Sequence, residues 1–212
     1  MAKTTKANSA DTVIVLDFET TGLSADGGDR AIEIGAVMIE QGRVTDQFQS
    51  LMNPGRRIPT FIEDYTGITN TMLKTAPSCR EVMAEFTDFI AGFSLVAHNA
   101  SFDSRFLDAE LRRIKRRRAG EFACSMLAAR RLYQDAPNHK LGTLVEYHDL
   151  PNDGTFHRAL ADAQMTAQLW LRMLADIEDN YQLTAIPFSL MQTIAKTPKL
   201  KIDALLKTWN KS

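Results

Sequence analysis

The first apolar run of the chain leads directly into two acidic residues. Residues 12–16 are mostly apolar and β-branched, and their length and composition predict a buried strand. Asp17 and Glu19 follow with one residue between them, and because strand side chains alternate, both carboxylates are expected to point the same way. Adjacent carboxylates repel each other unless a cation or a proton neutralises one of them. The pattern predicts either a strand end that meets solvent or a metal site.

Three more apolar runs predict further strands. Residues 31–39 and 44–51 are joined by a turn at Gln41 and Gly42, so the first three strands are expected to form an antiparallel meander. Residues 94–97 predict another short strand.

Helical spacing of apolar residues marks the remaining elements. Ser78 and Glu81 have the spacing of a capping box and predict that a helix begins there. Ser101 is the expected N-cap of the helix after residues 94–97, and a long, largely buried helix is expected from residue 160. An amphipathic last helix is expected to pack on its own domain. The predicted helices are 58–65, one from 78, one from 101, 122–133, 140–147, one from 160, and 201–209.

Two of the predicted helices carry an acidic residue on the apolar face. Asp103 lies four residues before Leu107 and so heads the apolar stripe of its helix. Asp162 shares a stripe with Met165 and Leu169. An acidic residue in a first turn favours the helix dipole, but this does not explain a carboxylate that faces inward. A buried carboxylate is costly without a cation or several hydrogen bonds.

Length and charge narrow the class of protein. The 212 residues fit one domain with a full core, and the formal net charge of −1 argues against a uniformly basic nucleic-acid binder. It is compatible with a nuclease whose acidic site binds divalent cations. Cys79 and Cys124 match no zinc spacing, which predicts reduced thiols in a cytoplasmic protein. The first ten residues lack the apolar stretch of a signal peptide, and no run is long enough to span a membrane, so no membrane partner is expected.

A basic run at residues 112–118 contains six Lys or Arg residues in seven positions. A cationic helix end complements the helix dipole, and the run is expected to be solvated. Contact with nucleic-acid phosphates is the alternative, which a nuclease function would strengthen.

Four carboxylates from three separate segments are expected to face inward at the ends of their elements: Asp17, Glu19, Asp103 and Asp162. Two divalent cations about 3.5–4 Å apart would explain the cluster, because hard ions take oxygen ligands and carboxylates neutralise them. His157 is expected in the loop just before the helix of Asp162. Such a site suggests hydrolysis of a phosphodiester, with the histidine taking a proton from the attacking water.

Three ordered motifs carry a resemblance to a known family. They lie at residues 17–23 (DFETTGL), 98–103 (HNASFD) and 157–163 (HRALADA). They resemble the three exonuclease motifs of the DnaQ-like (DEDDh) 3′→5′ exonucleases, a family that includes the proofreading epsilon subunit of bacterial DNA polymerase III. The sequences RAIEIGAV at residues 30–37 and TGIT at residues 66–69 are also in the style of this family.

The resemblance implies an α/β protein with an RNase H-like fold, in which helices flank a central mixed five-stranded sheet. It covers residues 12–176 and implies an exonuclease domain at residues 12–178. A polar N-terminal tail is expected at residues 1–11, and a C-terminal extension at residues 179–212.

The resemblance also implies roles for the residues of the motifs. His157 would be the general base, and two Mg²⁺ or Mn²⁺ ions would be held by carboxylates that thereby take part in catalysis: Asp17, Glu19, Asp103 and Asp162. A second group would bind the terminal nucleotide or support its site: Thr20, Thr21, Gly22, Leu23, His98, Asn99 and Phe102. Within this group, Leu23 would pack against the base, His98 and Asn99 would support the site, and Phe102 is equally well a core residue.

The implied activity is metal-dependent 3′→5′ hydrolysis of terminal phosphodiesters, on single-stranded DNA ends in proofreading or repair, with release of nucleoside 5′-monophosphates. The implied partners are 3′ ends of single-stranded DNA or RNA and a DNA polymerase or another replication or repair protein. A 3′→5′ exoribonuclease of RNA maturation and a non-catalytic nucleic-acid or protein-binding module are the alternatives. The chain departs from the family at Tyr65, where relatives often have His, and at Cys124 and Ser125, where many have Asp and Thr.

Overall fold

The computed structural model describes residues 8–152, 154 and 157–209. Five strands lie in the described ranges: β1 (Val13–Thr20), β2 (Ala31–Glu40), β3 (Arg43–Leu51), β4 (Ser94–Ala97) and β5 (Phe122–Cys124). They form one mixed sheet in the order β3-β2-β1-β4-β5. The first three strands are an antiparallel meander, and β4 and β5 continue the sheet in parallel. The predicted meander and the mixed five-stranded sheet are both confirmed.

Helices flank this sheet. Two of them, α2 (Asn70–Thr75) and α8 (Phe188–Lys196), lie in segments where the sequence pattern predicts no helix. The Ser78–Glu81 capping box is present at the start of α3, with the Ser78 N–H donating to the Glu81 carboxylate at 2.9 Å. The first helix begins at residue 60 and not at residue 58. The helices in the described residues are α1 (Thr60–Thr66), α2 (Asn70–Thr75), α3 (Cys79–Phe89), α4 (Ala100–Arg113), α5 (Ser125–Leu132), α6 (Leu141–Tyr147), α7 (Ala159–Tyr181), α8 (Phe188–Lys196) and α9 (Ile202–Thr208).

Alternating residues of β1 face two hydrophobic cores on opposite sides of the sheet. Val13 and Val15 belong to the core that contains α7. Ile14 and Leu16 belong to the core that contains α3 and α4. Burial on both faces explains why this segment is a continuous apolar run. Asp17 continues the alternation of Val13 and Val15 and so faces the side of the sheet that α7 covers.

The first strand is longer than the apolar run predicts. It continues past residue 16 to Thr20, because Asp17 pairs with Gly35 and Glu19 pairs with Glu33 in the antiparallel ladder to β2. The two carboxylates therefore stand inside the strand and not at its end. A paired strand holds side chains more rigidly than a loop does, which suits a site that needs fixed geometry.

Two other boundaries predicted from the local pattern are wrong. Residues 122–124 are not the start of a helix: they form β5 because they pair with residues 95–97 of β4, and α5 begins only at Ser125. Ser101 is not the N-cap of α4. The helix begins at residue 100, and its N-cap is Asn99, in the left-handed conformation with a φ of 78°.

The N-terminus of α7 docks directly on β2. A Cβ at Gly35 would overlap backbone atoms of the first two residues of α7, so glycine is required at this contact. Beside it, the buried Glu33 carboxylate accepts hydrogen bonds from the Ala159 N–H at 3.1 Å and from the Arg158 guanidinium at 2.8 and 3.1 Å. These contacts fix the first turn of α7 against the neighbour of β1.

The C-terminal segment packs on the same core as α7. Ile202 and Leu206 of α9 are buried there, as expected for a tail that packs on its own domain. Helix α7 continues through residue 178 to Tyr181, and the predicted division of the chain at that point stays a prediction. Residues 1–7 of the predicted polar tail lie outside the described residues. Within the described ranges, no helix combines the length and the apolar character needed to cross a membrane.

We expect Gly35→Ala to destabilise the protein by about 3 kcal/mol, because the added methyl group overpacks the contact between β2 and α7. Gly55→Ala is the control: it adds a methyl group at a turn with a φ of 75° where no atom lies within 4 Å, and should cost about 1 kcal/mol of backbone strain. Urea unfolding followed by circular dichroism measures both losses. Equal losses for the two variants would contradict the close contact.

Candidate active site

Carboxylates from β1, α4 and α7 converge at one place. Asp17, Glu19 and Asp162 each bring an oxygen within 4.8 Å of the others. Asp103 lies beside them and is 2% exposed. Its Oδ1 accepts a hydrogen bond at 3.2 Å from the N–H of Phe18, the residue between the two carboxylates of β1. The structure thus brings together all four carboxylates that the sequence singles out.

Burial and mutual repulsion raise the pKa of the carboxylates in this cluster. Burial, followed by the charge of Asp162, raises the pKa of Glu19 to about 8. Burial raises the pKa of Asp103 to about 8, and burial with the charge of Asp103 holds the pKa of Asp17 well above its usual range. Burial also raises the pKa of Asp162, while the nearby His157 lowers it. The cluster therefore resists holding four negative charges on its own.

The donor set fits divalent cations. Carboxylate oxygens are ligands that Mg²⁺ and Mn²⁺ prefer, and a bound cation would relieve the repulsion that raises these pKa values. Arg158 lowers the pKa of Glu19, but its guanidinium is paired with Glu33 at 2.8 Å. Its charge is therefore committed to another carboxylate.

A buried glutamate that the sequence argument missed holds the site together. Glu33 is fully buried and stands opposite Glu19 in the ladder between β1 and β2. Besides its bonds to the start of α7, it accepts a hydrogen bond from the Gln49 side chain at 3.0 Å. Arg158, which it binds, directly follows His157 in the chain. One carboxylate therefore fixes both the start of α7 and the end of the histidine loop.

His157 lies at the edge of the cluster, in the loop before α7 as expected. Its backbone N–H donates to Asp162 Oδ2 at 3.2 Å. Its φ of 60° falls in the left-handed region, which residues other than glycine rarely adopt. Its exposed ring packs on the ring of Tyr65, with the centroids 4.1 Å apart. The backbone thus anchors His157 to the cluster, and Tyr65 restrains the direction of its ring.

Tyr65 is one of the residues that the sequence motifs mark as a departure from the family. It lies near the end of α1 and is 60% exposed. Burial, and then the charges of Glu19 and Asp162, raise its pKa, so the hydroxyl stays protonated at neutral pH. The sequence shows the departure but not the contact with His157, because α1 and the histidine loop are far apart along the chain.

The loop after β1 is closed by its own side chains. The Thr20 hydroxyl donates to the Gly22 carbonyl at 2.6 Å, and the Thr21 hydroxyl donates to Asp29 at 3.0 Å. A Cβ at Gly22 would overlap the Asp29 carboxylate, so a larger residue at this position would displace the Asp29 side chain. Leu23 projects from the loop with 81% of its surface exposed. Both threonine side chains are engaged within the protein, whereas Leu23 is available to a ligand.

His98 is bonded within the protein. Its Nδ1 lies 2.9 Å from the Ser125 hydroxyl, and its Nε2 lies 3.0 Å from the backbone carbonyl of His139. Burial lowers the pKa of His98 to about 4, so the ring is neutral. Ser125, one of the two departures from the family, thus holds His98, an arrangement that agrees with a supporting role.

Asn99 and Phe102 lie at the start of α4. Asn99 is exposed, and its side chain accepts a hydrogen bond from the Ser101 hydroxyl at 3.3 Å. The ring of Phe102 packs on Phe106 at 4.8 Å and is only partly buried. Both interpretations of Phe102, as a core residue and as a contact to a nucleotide, therefore remain compatible with its position.

A second buried ion pair supports the other side of the site. Glu110 of α4 is 1% exposed and accepts hydrogen bonds from Arg30 Nε at 2.8 Å and from the Ala31 N–H at 3.3 Å. It ties α4, and with it Asp103, to the start of β2. The helical spacing that places Asp103 on the inward face places Glu110 there too, three residues after Leu107. The sequence therefore contained a signal for Glu110.

Fold and site together define a class of protein. A mixed five-stranded sheet with two carboxylates on its first strand, a third at the start of α4 and a fourth at the start of α7 is an RNase H-like arrangement of the DEDDh type. The model of the RNase_T family, described as an exonuclease family, matches residues 14–170. The chain belongs to this exonuclease family.

Similar sequences include bacterial replication proteins. A "DNA polymerase III PolC-type" from Caldanaerobacter subterraneus subsp. tengcongensis is 39% identical over 166 residues, which are 78% of this chain and 12% of the relative. The chain thus spans only 12% of the length of this PolC-type relative. The "DNA polymerase III subunit epsilon" of Aquifex aeolicus is 30% identical over 171 residues, which are 80% of this chain and 84% of the relative.

Similar solved structures support the same fold. Exonuclease X in complex with 5′ overhanging duplex DNA is 27% identical, with a TM-score of 0.67 over 86% of this chain and 99% of that chain. The nuclease domain of 3′hExo, a DEDDh family member bound to rAMP, is 22% identical, with a TM-score of 0.68 over 78% of this chain and 92% of that chain. The second likeness concerns the fold alone. The RNase H-like fold implied by the sequence motifs is confirmed.

Without divalent cations, we expect the melting temperature to fall as the pH rises from about 5 to about 8. The pKa values of Glu19 and Asp103 are raised to about 8, so over this range the folded state holds protons that the unfolded state has released. The stability they contribute is therefore present at low pH and lost as the pH rises. A loss on the order of 2 kcal/mol corresponds to about 4–8 °C in a chain of this size.

Differential scanning calorimetry in EDTA and in Mg²⁺ measures this effect. Mg²⁺ should restore the melting temperature most at the upper end of the range, where the carboxylates are ionised. Glu19→Gln is the control, since it removes one raised pKa and should flatten the profile in EDTA. A wild-type profile no steeper than that of Glu19→Gln would contradict the predicted coupling.

Proposed function

We propose that the chain is a metal-dependent 3′→5′ exonuclease that hydrolyses the terminal phosphodiester of single-stranded DNA ends and releases nucleoside 5′-monophosphates. The observation that carries this proposal is the convergence of Asp17, Glu19 and Asp162 within 4.8 Å, with Asp103 buried beside them. A protein interior gathers such mutually repelling groups where a cation is to be bound. Membership of an exonuclease family gives this cation site a reaction.

The four carboxylates would hold two Mg²⁺ or Mn²⁺ ions. Bound there, the ions would stabilise the charge that develops on the phosphoryl oxygens and make water a stronger nucleophile. The part of the protein is to keep the carboxylates aligned. Sheet pairing does this for Asp17 and Glu19, and the docking of α7 on Gly35 does it for Asp162.

His157 would act as the general base. Its ring would accept a proton from the water that attacks the terminal phosphorus. The bond from this phosphorus to the 3′-oxygen of the preceding nucleotide breaks, and this oxygen takes up a proton. The shortened strand then ends in a 3′-hydroxyl, and the released nucleotide keeps its 5′-phosphate. The exposed position of His157 beside Asp162 supports this role, because the ring lies where the cluster meets solvent.

The loop after β1 would bind the terminal nucleotide. The side chains of Thr20 and Thr21 are engaged in closing the loop, so the main chain of residues 20–22 would contact the terminal 3′-hydroxyl. Leu23 would pack against the base with its exposed side chain. Neither contact reads the identity of a base, which suits an enzyme that removes any nucleotide.

The comparisons favour DNA as the substrate and a replication or repair protein as the partner. Two relatives are named as parts of DNA polymerase III, and the 27% identical structure, Exonuclease X, holds DNA. On this basis we propose that the chain acts on DNA ends and works with a polymerase. Whether RNA is cleaved as well depends on a contact or a clash at the 2′-hydroxyl, and the experiment below decides between the two polymers.

Degradation of end-labelled oligonucleotides tests this function. Matched DNA and RNA strands, labelled at the 3′ or the 5′ end, are incubated with Mg²⁺, Mn²⁺ or EDTA beside the variant Asp17→Ala. We expect metal-dependent shortening from the 3′ end, faster on DNA, and a loss of at least about 1,000-fold in Asp17→Ala because a ligand is removed. Faster cleavage of RNA would replace the DNA proposal with an exoribonuclease. Metal binding without cleavage of either polymer would leave a binding module.

We expect Tyr65→Ala to lower kcat about tenfold, because the ring of His157 loses the contact that restrains it. Tyr65→Phe keeps the ring and should keep most of the activity. His157→Ala should lower kcat further, on the order of 100-fold or more, and leave the metal affinity unchanged. Phe61→Ala removes a similarly exposed aromatic ring one turn earlier on α1 and is the matched control. Single-turnover kinetics measure all four; a wild-type kcat for Tyr65→Ala would show that the contact does not orient the base.

A further inference from the structure

A cavity of about 400 Å³ lies between the segment after β3 and helix α2. Three cationic side chains line it, from Arg56, Arg57 and Lys74, together with the polar residues Asn70 and Thr71. No carboxylate belongs to its lining in the described part of the chain. Its charge is therefore opposite to that of the carboxylate cluster.

The cavity is joined to the loop after β1 by direct hydrogen bonds. Arg56 Nη2 donates to the Thr21 hydroxyl at 2.8 Å and to Asp29 Oδ1 at 3.1 Å. Thr21 is two residues beyond Glu19 in the sequence and begins the loop that would hold the terminal nucleotide. The cavity therefore lies beside the loop that follows the carboxylates of β1.

Two of the three cations carry charge that the protein does not balance. Arg56 shares its charge with Asp29. Arg57 and Lys74 are exposed, and neither forms an ion pair with another described residue. Unbalanced cations that line one concave pocket favour an anionic ligand.

The basic run at residues 112–118 is a weaker candidate for the same task. Arg116 pairs with Asp88 at 3.0 Å, and Arg118 pairs with Asp108 at 2.8 Å. Arg113 pairs with the buried Glu110 at 3.4 Å. Half of the six cations of this run are therefore balanced within the protein, and the run does not line the cavity that Arg56 joins to the loop after β1.

We propose that this cavity binds backbone phosphates of the nucleic acid whose 3′ end occupies the carboxylate cluster. The inference rests on the proposed function, since it concerns the same substrate. The volume of about 400 Å³ exceeds that of one phosphate group, and exposed Arg and Lys side chains suit successive phosphates of a chain. The phosphates belong either to the strand being shortened or to its complement, and both have the same chemistry.

A double variant that combines Arg57→Gln and Lys74→Gln tests the proposal. The control is a second double variant, Lys199→Gln with Lys201→Gln, which removes the same charge from an exposed turn before α9. Fluorescence anisotropy in EDTA measures binding of a labelled single strand and of a duplex with a recessed 3′ end at several salt concentrations. We expect the cavity variant to bind the single strand about tenfold more weakly and the slope of log K against log salt to fall by about 1.4, which is 0.7 for each lost phosphate contact. The control should keep the wild-type slope.

The two arms identify the strand. A loss with both ligands assigns the phosphates to the strand being shortened, and a loss with the duplex alone assigns them to its complement. Turnover adds a second readout: in Mg²⁺ the cavity variant should raise KM for a long single strand and leave kcat on a dinucleotide unchanged. A salt slope in the cavity variant that is unchanged with both ligands, or an equal change in the control, would overturn the proposal.

This experiment separates the cavity from the catalytic proposal. Hydrolysis by the wild type with an unchanged salt slope in the cavity variant would leave the exonuclease standing and remove the phosphate site. Binding that depends on the cavity, without hydrolysis by the wild type, would do the reverse. Inorganic phosphate provides a last check, as a competitor for the labelled strand. If it competes as effectively, per phosphate, as an unlabelled long strand does, the cavity is a site for small anions and the proposal is overturned.

Discussion

Repulsion among four neighbouring carboxylates is the constraint that the rest of this structure has to withstand. Asp17 and Glu19 stand on the central strand β1, which pairs with β2 along its length and with β4 on its other edge. The strand is held by two cores, one on each face, so it cannot move away to relieve the repulsion. Burial, and then the charges of the neighbouring carboxylates, raise the pKa values of Asp17 and Glu19. The sheet therefore supplies the rigidity, and a bound cation would supply the missing charge.

The structural carboxylates of this protein differ from those of the site in their bonding partners and not in their burial. Glu33 and Glu110 are as deeply buried as Asp103. Each of the two glutamates, however, binds an arginine and also accepts a backbone N–H, so its charge is balanced inside the protein. Asp103 accepts a hydrogen bond from the N–H of Phe18 and has no arginine partner among the described residues. A buried carboxylate that has no cationic side chain as a partner is the kind that would bind a metal ion.

Short-range periodicity was enough to single out the four carboxylates that the structure brings together. The alternation of β1 predicted that Asp17 and Glu19 share a face, and the helical stripe predicted that Asp103 points inward. Both follow from the geometry of a single element. The same geometry could have found Glu110, which lies on the stripe of Asp103.

The sequence pattern could not predict contacts between distant segments, and the reason is physical. Glu33 becomes informative only once Arg158 is brought against it, and Gly35 only once α7 packs on it. Neither residue differs in type from ordinary members of a strand. The pairing of β5 with β4 likewise decides the conformation of three residues whose own pattern suggests a helix. A tertiary contact overrides the local preference in each case.

The distribution of charge reconciles an acidic site with a polyanionic substrate. With a formal net charge of −1, the protein does not attract nucleic acid as a whole. Screening confines an exposed charge to about 8–10 Å at physiological salt, so cations far from the site would contribute little. Arg57 and Lys74 line a cavity that Arg56 connects to the loop beside the carboxylates. Metal ions would neutralise the cluster itself, whereas these cations would hold the next part of the strand. In the proposed function, the two sets of charges would thus contact neighbouring parts of one substrate.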